Sequence, residues 1–369
     1  MRPRLGLFPA AALLLGGSIV VIGQQTTRPL VFRAEANYTE IYATVTDRQG
    51  RFVPGLTAED FELKEEGRVH PIELFSVVDL PMDASTRRAS VPPIFNPELP
   101  REMQAVENRI YLLYLNPVEP QYVTRVRELA STFVRDHLLP GDVAAVWDPG
   151  LPARRVTFTD NRRLLLSAIS PYLGTSLGMD DDLSFALSCT PGGIGSLPAN
   201  QRDRCDQYLR APKTRLEEAL KWFSGIQGRR KSVVLFAAGW PSDADPATIT
   251  DVQVYAVDVR GLVPPDRALA QGMASNAADV NGAIQSRLSD LSRSTEYMAS
   301  LADRTGGFAI VNANDHRPGF IRIVEHSSRY YVLGYRSTLK RRDGDYRTVD
   351  VKVKRSGVRV YARRGYYAY

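Results

Sequence analysis

The residues best placed for chemistry close a short apolar run, Ile110-Tyr-Leu-Leu-Tyr-Leu-Asn-Pro-Val-Glu-Pro120. The run stops at Asn116, and Pro117 and Pro120 forbid its continuation as strand or helix. Ligands of α/β domains are usually met at the end of such a strand. Asn116, Val118, Glu119 and Pro120 are therefore the first candidates. A hard divalent cation takes six or more oxygen ligands, and here only Asn116 and Glu119 carry a side-chain oxygen. Elsewhere, Asp180-Asp-Asp182 could hold a cation but reads as a solvated acidic loop. Asp243 and Asp245 follow a second apolar run and read as loop residues, Asp245 preceding a proline turn. His70, His137, His316 and His326 are scattered without ligand spacing. No serine lies in a nucleophile-elbow context, and neither a phosphate loop nor a dinucleotide fingerprint occurs. Gly192-Gly-Ile-Gly195 follows no strand and reads as flexible spacing. No convergent acid, base and nucleophile emerge, so neither an enzyme nor a cofactor is expected.

The 369 residues suffice for two domains, and 44% apolar with 24% charged residues is ordinary globular composition. The formal net charge is +6, two units of which belong to Arg2 and Arg4. That mild excess does not argue for nucleic acid. Arg2 and Arg4 precede an uncharged apolar stretch, Leu5 to Ile22, which reads as an export signal cleaved before Gln24. An uncleaved anchor is the alternative. The chain is thus expected in the periplasm or secreted. In that compartment Cys189 and Cys205 are expected to form a disulfide, the alternative being two separate thiols. The bridge would add about 3 kcal/mol in the chain-entropy view.

The elements that must position the tip come in three blocks. Residues 24–80 read as β-structure: Ile41, Ala43 and Val45 alternate with Tyr42, Thr44 and Thr46. Thr57 to Asp60 reads as one capped helical turn, and Phe61–Lys64 with Ile72–Val78 as a hairpin. Residues 81–106, with five prolines, form a linker. From 107 to 328 strands and helices alternate. Strands are predicted at 109–115, 143–147, 155–158, 232–238, 252–257 and 308–311. Helices are predicted at 123–137, 161–173 with Asp160 as N-cap, 215–223, 295–303 and 319–326. Such a run calls for a mainly parallel sheet wrapped by helices. Residues 329–369 are β again, with strands at 330–335, 346–353 and 358–363. Neither β-rich segment can bury its own face. They are expected to pair into one β-sandwich with the α/β domain inserted between them.

This order, with Gly228-Arg-Arg-Lys-Ser-Val-Val-Leu-Phe236, Val254-Tyr-Ala-Val-Asp-Val-Arg-Gly261, Leu301-Ala-Asp-Arg-Thr-Gly-Gly307 and Tyr331-Val-Leu-Gly-Tyr335, resembles a von Willebrand factor A domain. More narrowly it is similar to the exported von Willebrand factor A-related family of acidobacterial type, through Val53-Pro-Gly-Leu-Thr-Ala-Glu-Asp-Phe61 and Arg364-Gly-Tyr-Tyr367. The resemblance implies a Rossmann-like fold and a metal-ion-dependent adhesion site. The family's first strand ends in Asp-x-Ser-x-Ser, and a later strand ends in Asp. Here those positions carry Asn116, Val118, Pro120 and Ala238, so the site is degenerate and no metal is expected.

The reading that follows is an exported, non-enzymatic module binding a protein partner through a metal-independent top face. Asn116, Glu119, Trp240 and Asp243 are the candidate contacts, with Trp240 as an aromatic anchor at a strand end. Long connections, 174–212 with its expected bridge and 262–289, would enlarge that face. The competing class is an enzyme or an envelope glycan-binding protein. Its observation is the basic, tyrosine-rich segment 336–369, which could grip a polyanion. An outward sheet face kept soluble by charge explains the same composition.

Overall fold

The computed structural model describes residues 38–80, 82, 109–149, 157–174, 198–225, 230–240, 252–262, 277–339 and 344–368. The expectations for residues 1–23, and for 81–106 apart from Met82, lie outside them. The described residues belong to one compact unit, Ala34–Tyr369. Among them no helix is long and apolar enough to cross a membrane.

Strand β1 (Tyr38–Thr46) buries Ile41, Ala43 and Val45 completely, as its period-two pattern requires. Thr44 and Thr46 on the opposite face are buried as well. Thr57 caps a single 3₁₀ turn, Ala58–Asp60, its backbone N–H donating to Asp60 Oδ2 at 2.7 Å. Strand β2 (Phe61–Glu65) turns at Glu66-Gly67, both at positive φ, straight into β3 (Arg68–His70). The hairpin predicted with residues 72–78 therefore has a different partner. The two-residue turn closes at once, and Pro71 ends the returning strand. Strand β4 (Leu74–Asp79) instead joins another sheet.

The parallel sheet holds β5 (Ile110–Leu115), β6 (Val143–Trp147), β7 (Lys231–Ala237), β8 (Val252–Asp258) and β9 (Ala309–Ile310), in the order β6-β5-β7-β8-β9. Every residue of β5, β7 and β8 is buried, as expected of strands covered on both faces. The covering helices are α1 (Pro120–Thr132), α2 (Arg162–Ile169), α3 (Ala199–Ser224), α4 (Ala277–Arg304) and α5 (Arg317–Ser328). Alternate β5 side chains feed two cores. Tyr111, Leu113 and Leu115 cluster with Val126, Ile169 and Phe320 from α1, α2 and α5. Ile110, Leu112 and Tyr114 cluster with Leu220 and Phe223 of α3 and Met298 of α4.

Several boundaries depart from the sequence reading. The end of α1 widens into a π turn, Phe133–His137. Asn161, not Asp160, caps α2 by accepting from Arg163 N at 3.0 Å, and α2 stops at Ile169. No strand starts at 157–158; Thr159 makes an isolated antiparallel bridge to Ala144. Helix α3 runs through Pro212, which sequence reasoning treats as a boundary. Helix α4 begins at Ala277, well before Thr295.

The chain ends in antiparallel pairing. Strand β10 (Arg329–Arg336) lies between β1 and β4. Strand β11 (Tyr346–Val353) lies between β2 and β13 (Gly365–Tyr367), while β12 (Arg359–Tyr361) flanks β1. These two four-stranded sheets place Ile41, Val45, Leu63, Tyr331, Leu333 and Val351 in one apolar cluster. The described residues are thus α/β, with a five-stranded parallel sheet and two antiparallel ones.

Gly306-Gly307 stops α4. Gly306 takes φ 79°, and Gly307 N donates back to Ala302 O at 2.9 Å. A Cβ on Gly307 would lie 2.0 Å from Val254 O, a backbone atom of β8. Gly307→Ala is expected to destabilise the protein by about 1–3 kcal/mol through overpacking. Urea denaturation measures this; an unchanged midpoint would show that the helix end shifts freely away from β8.

Candidate functional site

The carboxyl ends of β5, β7 and β8 form the edge at which the sequence reading places binding. Asn116 still belongs to the ladder, its backbone N–H donating to Phe236 O at 3.0 Å. Its side chain is only 6% exposed, and Nδ2 donates to Pro117 O at 3.2 Å. The Tyr172 hydroxyl donates to Asn116 O. Val118 turns into the core, and its N–H donates to Gly174 O at 2.7 Å. Gly174 takes φ 78°, and a Cβ there would meet Val123 at 2.4 Å, so this approach requires glycine. Glu119 and Pro120 are exposed and start α1, Pro120 taking the first helical position, where its missing N–H costs nothing. Burial first, and the charge of Asp148 next, holds the Tyr172 phenol above its ordinary range, so it stays a donor.

At the end of β7, Ala238 supplies no side-chain oxygen and Gly239 takes φ 86°. Trp240 corrects the sequence reading. It is 2% exposed and packs among Phe223, Leu235 and Met298, so it cannot serve as an exposed anchor. Its backbone N–H donates to Ser294 O of α4 at 3.1 Å, which draws the chain inward immediately after the strand. A tryptophan at a strand end looks exposed only while the position of α4 is unknown.

A second carboxylate at this edge, besides Glu119, is Asp258, the last residue of β8, which the sequence reading does not single out. It is already neutralised. Arg260 Nε reaches Asp258 Oδ1 at 2.9 Å and Nη2 reaches Oδ2 at 2.6 Å, both side chains being buried. Arg260 is held in turn by Ser294 Oγ at 2.8 Å and Thr295 Oγ1 at 2.9 Å. The sequence signal for this pair is Asp-Val-Arg directly after an apolar strand. His316 sits behind it, Nε2 3.0 Å from Asp258 O.

Among the described residues no three His, Cys, Asp or Glu side chains are grouped so as to hold a metal ion. What the edge offers outward is contact surface. Glu119, Pro120 and Asn314 are exposed, and Leu173 and Leu262 are each 56% exposed. Arg125 of α1 donates to Asn314 O at 2.8 Å, and Leu262 N donates to Asn314 Oδ1 at 3.0 Å, so one network links these loops. Cys205 is buried on α3, whereas Cys189, Asp243, Asp245 and Asp180–Asp182 lie outside the described residues. The connections predicted at 174–212 and 262–289 are partly helical, since 199–212 belongs to α3 and 277–289 to α4.

Several basic residues of the C-terminal strands are engaged with neighbours. Arg336 pairs with Glu73 at 3.1 Å, Lys352 with Asp350 at 3.3 Å and Arg364 with Asp303 at 3.2 Å. Lys354 Nζ donates to Glu59 O at 2.7 Å, and Arg347 is buried. Compared with protein-family models, with curated proteins and with solved structures, the chain matches none.

Proposed function

We propose that this chain is an exported, non-enzymatic binding module of the von Willebrand factor A-related kind, holding a protein partner at the carboxyl edge of its parallel sheet without a metal. The observation that carries this reading is the state of that edge. Val118, Pro120 and Ala238 offer no side-chain oxygen, and Asp258 is bound by Arg260. An ion would have to displace a guanidinium held by four short hydrogen bonds, while exposed Leu173 and Leu262 suit a protein surface. The strand order supports a Rossmann-like core, with β5 between its two crossover neighbours. The shared cluster of the antiparallel sheets supports a β-sandwich built from residues 38–80 and 329–368.

Calorimetric titration of the mature protein with Mg²⁺, Mn²⁺ and Ca²⁺ is expected to show no binding. Micromolar affinity lost in Asn116→Ala would overturn the metal-free reading. For the partner, a periplasmic or supernatant protein captured by the wild type is to be purified and its affinity measured directly. Leu173→Asp and Leu262→Asp are each expected to weaken it at least tenfold. Unchanged affinity in both, with the fold intact, would move the binding surface away from this edge.

A further inference from the structure

At the opposite end of the parallel sheet, a buried arginine has no counter-ion among the described residues. Arg230, immediately before β7, is 3% exposed. Its Nη1 donates to Thr44 Oγ1 of β1 at 2.8 Å and to His326 O of α5 at 2.7 Å. Its guanidinium carbon lies 4.6 Å from the ring centre of Tyr330 on β10. Nε and Nη2, the fork that grips anions in two-pronged fashion, are buried with no partner. His326 is 1% exposed, and both of its ring nitrogens are also buried without a partner. Its ring sits against Tyr361 at 4.7 Å, Phe308 at 5.0 Å and Tyr255 at 6.3 Å. One turn earlier on α5, Arg322 lies over Phe308 at 4.0 Å, and its Nε too is buried and unpartnered.

The same protein shows how a buried arginine is normally accommodated. Arg109, 1% exposed, meets Asp142 through two parallel bonds of 2.8 and 2.7 Å and gives its third nitrogen to Ser328 Oγ. Arg230 has nothing equivalent. Burial first, and then the positive charges of Arg322, Arg230 and Arg359, hold the His326 imidazole well below its ordinary range and so neutral. A lone guanidinium in an aromatic enclosure carries a large desolvation penalty that an opposite charge would offset.

We propose that the seam between the parallel sheet and the antiparallel strands binds a small monovalent anion, of halide or single-carboxylate size, on the Nε–Nη2 fork of Arg230. The charge and size follow from the surroundings. The donors form a single two-pronged fork, the lining is aromatic, and the cost of burying an ion rises with the square of its charge, which disfavours sulfate and doubly charged phosphate. The bound ion ties the residue before β7 to β1, α5 and β10 and so acts as a structural clamp, independent of any partner at the far edge.

The test uses the full mature protein and bromide as probe. Crystals grown in sodium bromide are expected to show an anomalous peak at the Arg230 fork, absent from Arg230→Met. In solution at fixed ionic strength, bromide or chloride replacing gluconate is expected to raise the melting temperature saturably by a few degrees. Arg230→Met is expected to lose that response, and Arg230→Lys, which keeps the charge but not the fork, to weaken it. If Arg230→Met does not fold, the wild-type crystal and titration still decide. An unoccupied fork, a side-chain carboxylate filling it, or a response equal in wild type and variants would overturn the proposal.

Discussion

Removing residues 329–369 is expected to unfold residues 38–80 as well. Strand β10 is the shared neighbour of β1 and β4, and β11 is the neighbour of β2. Without them β1 and β4 have no sheet, and β2 with β3 is an isolated hairpin, marginal at best in water. The common core loses Tyr331, Leu333, Tyr335, Val349, Val351, Ala362, Tyr366 and Ala368. At about 1.5–3 kcal/mol for each large side chain, this loss is as large as the roughly 5–15 kcal/mol that holds a domain together. Limited proteolysis with mass spectrometry is expected to show cleavage throughout 38–80 in the truncated protein and protection in the intact one. Equal protection would mean that the two segments are energetically independent despite their pairing.

The second large effect is expected at Glu65, the last residue of β2, which is 1% exposed. Its carboxylate accepts from Tyr335 Oη at 2.9 Å, from Ser337 Oγ at 2.6 Å and from the Tyr366 hydroxyl. His70 Nε2 lies 3.7 Å away. Four segments therefore converge on one charge. Burial, with the Tyr366 hydroxyl after it, pushes the Tyr335 phenol far above its ordinary range, so it remains a donor at any working pH. Glu65→Ala leaves two buried hydroxyls and the half-buried Ser337 hydroxyl without their acceptor and is expected to cost about 3–5 kcal/mol. Glu65→Gln keeps the shape but turns an amide donor toward existing donors, and is expected to cost about 1–3 kcal/mol. Urea denaturation orders the variants. A loss below about 1 kcal/mol for Glu65→Ala would mean that water replaces the carboxylate at little cost.

Strands whose burial dictates their composition were legible in the sequence. Residues 110–115, 231–237 and 252–258 are continuous apolar runs because both faces are covered, and 346–353 alternates because one face is. The three-residue strands β3 and β13 carry too few residues for any period to show. The first halves of α3 and α4 were hidden by composition: Pro212 argues locally for a stop, and Asn281-Gly282 argues for a loop. At the candidate edge, the missing oxygens of Val118, Pro120 and Ala238 could be read directly. The burial of Trp240 and the capture of Asp258 by Arg260 depend on where α4 lies, which no local pattern reports. Arg230 was hidden differently, since inside Arg229-Arg-Lys231 it reads as one more solvated base.

The register that pairs Tyr38 with Arg336 and Thr46 with Arg359 also has a consequence in time. About three hundred residues separate the partners, and a ribosome adding about 5–20 residues per second needs roughly 15–60 s to make them. For that interval the first strand exists without anything to pair with, while β5 to β9 and their helices have already been made. Residues 38–80 therefore cannot become protease-resistant before residues 329–369 have been made, although they are among the first to be synthesised. A chain released early carries that exposed segment permanently, and quality-control proteases can tell it from a finished one by its beginning.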